Sequence, residues 1–105
     1  MITFKDLSPA RQELVRLMQR INYGEIRRLT IRNGEPILTP PPVIVRAVKF
    51  GAENGARRQA VLDDFTLKDQ VIQFLNEIDL SDGEIEVVEV KAGLPFMALI
   101  PGLTA

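Results

Sequence analysis

The chain has 105 residues, enough for one domain with one modest core and too few for a deep cleft between domains. It contains no cysteine and no histidine, which excludes disulfides, thiolate chemistry, cysteine metal sites and imidazole as general base or ligand. Net charge is −1, but residues 1–60 carry eleven Lys/Arg against five Asp/Glu, and residues 61–105 carry two against nine. A basic half thus precedes an acidic half. That asymmetry suits a charged binding surface, or two halves that pair with each other.

The start, Met1-Ile2-Thr3-Phe4-Lys5-Asp6, has no charged segment followed by an apolar one. No secretory signal is readable, and no apolar run approaches the roughly 20 residues that span a bilayer. We expect a soluble cytoplasmic protein, of bacterial type, with no membrane contact.

In chain order, Ser8-Pro9 is a helix start, with Ser as N-cap and Pro at the first helical position. Leu7 is placed to staple onto the first turn. The helix is predicted over Pro9 to Asn22. Leu14, Leu17, Met18 and Ile21 form its apolar face, and Arg11, Glu13, Arg16, Gln19 and Arg20 lie mostly on the wet side. Gly24 ends it.

Ile26–Arg32 and Pro36–Thr39 are predicted strands, joined at Asn33-Gly34, the strongest short hairpin signal because a type I′ turn needs two positive φ angles. Pro40-Pro41-Pro42 donates no ladder hydrogen bonds and marks a rigid link or an edge. Val43–Phe50 is predicted as a third strand, apolar at both parities, so that both faces are buried or one lies in an interface. Gly51–Ala60 is a loop containing Asn54-Gly55 and Arg57-Arg58.

Thr66 is the expected N-cap of a second helix over Leu67–Asp79, with Asp63-Asp64 near its positive end. Leu67, Val71, Phe74, Leu75 and Ile78 face inward. Glu84–Lys91 and Leu94–Ile100 form a second hairpin across Ala92-Gly93.

Residues 24–38 and 83–97 resemble two copies of one motif at an offset of 59. Both carry G-E-I, apolar residues at 29/88 and 31/90, then G-x-P and two apolar residues, with five of fifteen pairs identical. Asp6-Leu7-Ser8 and Asp64-Phe65-Thr66 repeat at 58 and extend the likeness upstream. The expectation is an α+β two-layer sandwich. A mostly antiparallel sheet of four or five strands carries two helices on one face, in the order α-β-β-β-α-β-β, from an internal αββ duplication. It is one domain, residues 1–105, with pseudo-repeats roughly 7–39 and 65–100 linked by strand 43–50 and loop 51–64. Neither half has enough structure to fold alone.

Arg27, Arg28 and Arg32, with Arg57 and Arg58, are candidates for an anion site, including nucleic acid. The plainer account pairs them internally, since the repeat puts Glu86 at the position of Arg27 and Glu89 at that of Thr30. An acidic pI near 5.4 and few aromatics disfavour nucleic acid further. Gly51 to Gly55 lacks the Gly-Lys-Ser/Thr ending of a nucleotide loop.

Glu84, Glu86 and Glu89 with Asp79 and Asp82 could hold a divalent cation. Strict alternation sends Glu89 to the opposite face from Glu84 and Glu86, which leaves a solvated acidic face as the better reading. Tyr23 is placed to pack at the helix–strand junction. No catalytic set and no cofactor motif is present, and a small carboxylate-based enzyme is the least favoured function.

The preferred reading is a non-enzymatic protein–protein interaction or assembly module, paired with itself as a homodimer or with another protein. Its contact face is expected to include Ile44, Val48, Phe50 and Val87. The alternative is an anion- or nucleic-acid-binding module.

Overall fold

The computed structural model describes residues 2–51, 62 and 64–101. After a 3-10 turn at Phe4–Asp6, the elements are α1 (Pro9–Ile21), β1 (Gly24–Arg32), β2 (Glu35–Ile37), β3 (Val43–Arg46), α2 (Asp69–Leu80), β4 (Gly83–Lys91) and β5 (Leu94–Leu99). The fold is α+β, with two helices and one antiparallel sheet of five strands.

The sheet is centred on β1 and β4, which run antiparallel from Gly24↔Val90 to Ile31↔Gly83. β5 follows β4 on one side. On the other side, β2 and β3 share one edge of β1: β2 pairs with Thr30–Arg32, and β3 pairs with Gly24–Arg27. Residues 38–42, including the three prolines, connect these two pieces opposite only Arg28 and Leu29. Five residues against two force the link to bulge out of the edge, which suits a segment in which Pro40, Pro41 and Pro42 have no N–H to offer a ladder.

Local chemistry accounts for the turns and the first cap. Ser8 Oγ accepts from the Arg11 amide at 3.3 Å. Asn33 and Gly34 have φ of 54° and 74°, as a type I′ turn requires, and Ala92 and Gly93 repeat this geometry at 54° and 75°. Gly24 sits where β1 and β3 close on each other: a Cβ there would lie 2.0 Å from the Val45 carbonyl oxygen.

One core joins sheet and helices. Leu14, Val15, Met18 and Ile21 of α1 and Val71, Phe74, Leu75 and Ile78 of α2 meet Ile26, Leu29 and Ile31 of β1 and Ile85, Val88 and Val90 of β4. At about 1.5–3 kcal/mol for each large apolar side chain fully removed from water, this cluster dominates the stability.

Several expectations change. Thr66 is not a helix cap: it forms an antiparallel bridge with Thr3. Around that bridge the Leu67 amide donates to Ile2 O at 3.1 Å, and the Phe4 amide donates to Phe65 O at 2.8 Å. The N-terminal segment thereby keeps 65–67 extended, and α2 begins two residues later than predicted. The same clasp uses Asp64, which accepts from the Lys5 amide at 2.9 Å. That hydrogen bond is the main reason its carboxyl titrates below the ordinary value, so Asp64 serves the 3-10 turn rather than α2. Asp63 lies outside the described residues.

The third strand ends at Arg46 rather than Phe50. Beyond it, the Ala47 amide still donates to Tyr23 O at 2.8 Å, and β1 offers no further partner because it begins at Gly24. Three side chains expected on the wet side of α1 are engaged. Arg11 donates to Gly34 O at 2.7 Å and pairs with Asp79, Arg16 lies 4.3 Å above the Phe4 ring, and Gln19 is buried. No helix among the described residues is long and apolar enough to cross a membrane.

Two stability measurements check this geometry. Gly24→Ala should lower unfolding free energy by about 2 kcal/mol in urea melts, because β3 must move away from the new methyl group. Ala92→Asn should raise it by about 0.5–1 kcal/mol, since Asn tolerates the left-handed conformation that costs a β-carbon residue about 1 kcal/mol or more.

Candidate functional site

The side of the β1–β4 ladder away from the core carries Arg27, Arg28 and Val87, together with Glu84, Glu86 and Glu89. In a regular strand, alternate residues share a face. Here the buried positions are Ile26, Leu29 and Ile31 on β1 and Ile85, Val88 and Val90 on β4, so a spacing of three interrupts the spacing of two in both strands. The ladder register is the same on both sides of the break. On β1 the break falls at Arg28, whose φ is +59°, a region that non-glycine residues in a strand rarely occupy.

The consequence is a change in which side chains point outward. Glu25, Arg27 and Arg28 from β1 line a shallow hollow of about 750 Å³ together with Glu84, Glu86, Val87 and Glu89 from β4. Glu89 therefore shares a face with Glu84 and Glu86, contrary to strict alternation. Even so, among the described residues no group of three acidic side chains comes together closely enough to hold a metal ion.

Apolar side chains floor the same hollow. Val43 pairs with Arg27, Arg27 with Val87, and Val87 with Leu99, which makes one cross-strand row. The adjacent row is Val45, Glu25, Glu89 and Met97. Directly opposed residues share a face. Val43, Met97 and Leu99 are each about half exposed, at 52%, 50% and 49%.

The arginines are paired, with partners other than those the repeat suggests. Arg27 Nε donates to Glu25 Oε1 of its own strand at 2.9 Å. Arg28 Nε lies 3.8 Å from Glu84 Oε1 across the ladder, a looser contact. Because the strands run antiparallel, Arg27 stands opposite Val87 rather than Glu86. Lys91 reaches Glu89 at 3.6 Å. Arg32 is exposed at the far end of β1, paired in register with Glu35. Arg57 and Arg58 lie outside the described residues.

The expected contact residues separate. Val87 is central to the open face. Ile44 pairs with Ile26 and so stands on the core side at the sheet edge. Val48 and Phe50 lie past the end of β3, and Phe50 is 93% exposed. The residues that sequence reasoning missed are Val43, Leu99 and Glu25. Their face depends on hairpin register and on the break at Arg28, which composition and periodicity do not encode.

Tyr23 is exposed and borders a smaller hollow beside Arg46 and Lys91. A groove between α2 and β5, lined by Phe74, Pro95 and Ala98, has Glu77 as its one charged lining residue among the described residues. It offers less electrostatic selectivity than the ionic face of β1 and β4.

The strain at Arg28 can be measured. Arg28→Asn should raise stability by about 0.5 kcal/mol, because the left-handed backbone is relieved while an exposed pair at 3.8 Å contributes little. A loss of 1 kcal/mol or more would mean that the Arg28 side chain supports the fold. The chain matches no protein-family model, no curated protein and no solved structure.

Proposed function

We propose that this protein is a non-enzymatic assembly module, that its open sheet face receives a second copy of the same chain, and that the chain is a two-layer αββ duplication. The observation that carries the assembly reading is the apolar set Val43, Met97 and Leu99, each about half exposed around a partly buried Val87, on the side of the sheet away from the core. Apolar floors rimmed by charge are the usual composition of a protein contact. A second copy suits the arrangement of the charges: Arg27 and Arg28 on β1 stand beside Glu84, Glu86 and Glu89 on β4, so a second copy turned over the first can set its cations on the other's anions.

Duplication is supported by matching bounds at an offset of 59. β1 spans 24–32 and β4 spans 83–91, their buried positions coincide under that offset, and both are followed by a turn with two positive φ angles. The basic-then-acidic order of the halves is what gives the two central strands opposite charge.

The anion-binding alternative is less well supported. Arg27 and Arg28 stand among Glu25, Glu84, Glu86 and Glu89, and an approaching phosphate meets more negative than positive side chains. The enzyme alternative would need a closed site, and the hollow is shallow.

Light scattering after size exclusion should give the mass of two chains at high micromolar concentration, in low and in high salt, because apolar contact survives screening. Val87→Lys should give one chain with an unchanged circular dichroism spectrum. A wild-type monomer under these conditions would overturn the reading and make a salt-dependent titration with DNA and RNA the next experiment.

A further inference from the structure

The way two such faces meet is selected by their ionic side chains, an inference that rests on the face-to-face reading above. We propose that Arg28 of each copy pairs with Glu86 of the other, across a two-fold axis that runs parallel to β1 and β4 and lies between them.

Arg28 and Glu86 occupy the centre of the face. The ladder pairs Arg27↔Val87 and Leu29↔Ile85 flank them, so the two residues stand at one level along the strands. Both are poorly satisfied within one copy. The Arg28 side chain is 76% exposed, and its nearest carboxylate, Glu84, is 3.8 Å away, against about 2.7–2.9 Å for a strong charge-assisted bond. The Glu86 carboxylate is exposed and has no ion pair or hydrogen bond among the described residues. The left-handed backbone at Arg28 is what turns its side chain to this face.

A two-fold axis parallel to the strands lays β1 of one copy over β4 of the other and keeps each residue at its own level. Arg28 then stands over Glu86, twice. The same operation brings Glu25 over Glu89, and each of these is already neutralised within its own copy, Glu25 by Arg27 at 2.8 Å and Glu89 by Lys91 at 3.6 Å. An axis perpendicular to the strands would instead set β1 on β1 and β4 on β4. With that axis at the level of Arg28 and Glu86, Arg28 would meet Arg28 and Glu86 would meet Glu86, which costs affinity.

The test is a charge-reversal cycle read by sedimentation equilibrium, with circular dichroism confirming that each variant is folded. Arg28→Glu and Glu86→Arg should each weaken dimerisation by about tenfold or more, and the double variant should return to within about threefold of wild type. Mixing the two single variants is a second route that does not need the double variant. Under the proposed axis, both ionic contacts in the mixed dimer are Arg–Glu or Glu–Arg, so two weakly associating chains should form a heterodimer. A wild-type dimer that Val87→Lys dissociates, but whose affinity neither reversal changes or whose variants do not rescue each other, overturns the pairing and leaves the face reading standing. A monomeric wild type overturns both.

Discussion

Everything in this fold hangs on the ladder between β1 and β4. These strands come from opposite halves of the chain, and their seven paired positions hold the halves together. Their inward side chains reach both helices in one core, so neither helix–hairpin half could bury its apolar residues without the other. The outer strands attach to this pair, and the N-terminal clasp ties the segment before α2 to the start of the chain. Burial of six Ile, Leu and Val side chains from the two strands outweighs the exposed ion pairs on the other face, each worth about 1 kcal/mol or less. The charges are therefore not what holds the fold, and they remain available for recognition.

Sequence pattern alone discloses the elements whose causes are local. Asn33-Gly34 dictates its turn, Ser8-Pro9 dictates the start of α1, and the 3.6-residue spacing of Leu14, Met18 and Ile21 dictates the buried side of that helix. Where a distant segment intervenes, the pattern misleads. Thr66 has the chemistry of a cap but is held extended by Thr3. Val48 and Phe50 continue an apolar run but outlast the strand that could pair with them. Arg11 has the spacing of a wet residue, yet the β1–β2 turn and Asp79 draw it inward.

The candidate site was half legible for the same reason. Its charged members, Arg27, Arg28, Glu84, Glu86 and Glu89, stand out in the sequence as a basic strand and an acidic one. That they share one face follows from the matching breaks in β1 and β4, and the one in β1 falls at Arg28, where no residue type announces it, since Arg has no preference for positive φ. Its apolar floor comes from three ladder registers acting together, β1 with β3, β1 with β4 and β4 with β5. The result is a residue in a strained backbone conformation at the centre of an open face that is both apolar and ionically mixed.

If two copies meet through this face, it and no other part of the surface changes environment as they associate. Methyl NMR through a dilution series from millimolar to low micromolar concentration tests it directly. Val43, Val87, Met97 and Leu99 should shift together with concentration, while the core methyls of Leu14, Ile78 and Ile85 stay fixed. Resonances of the open face that remain unchanged across the whole series would contradict it.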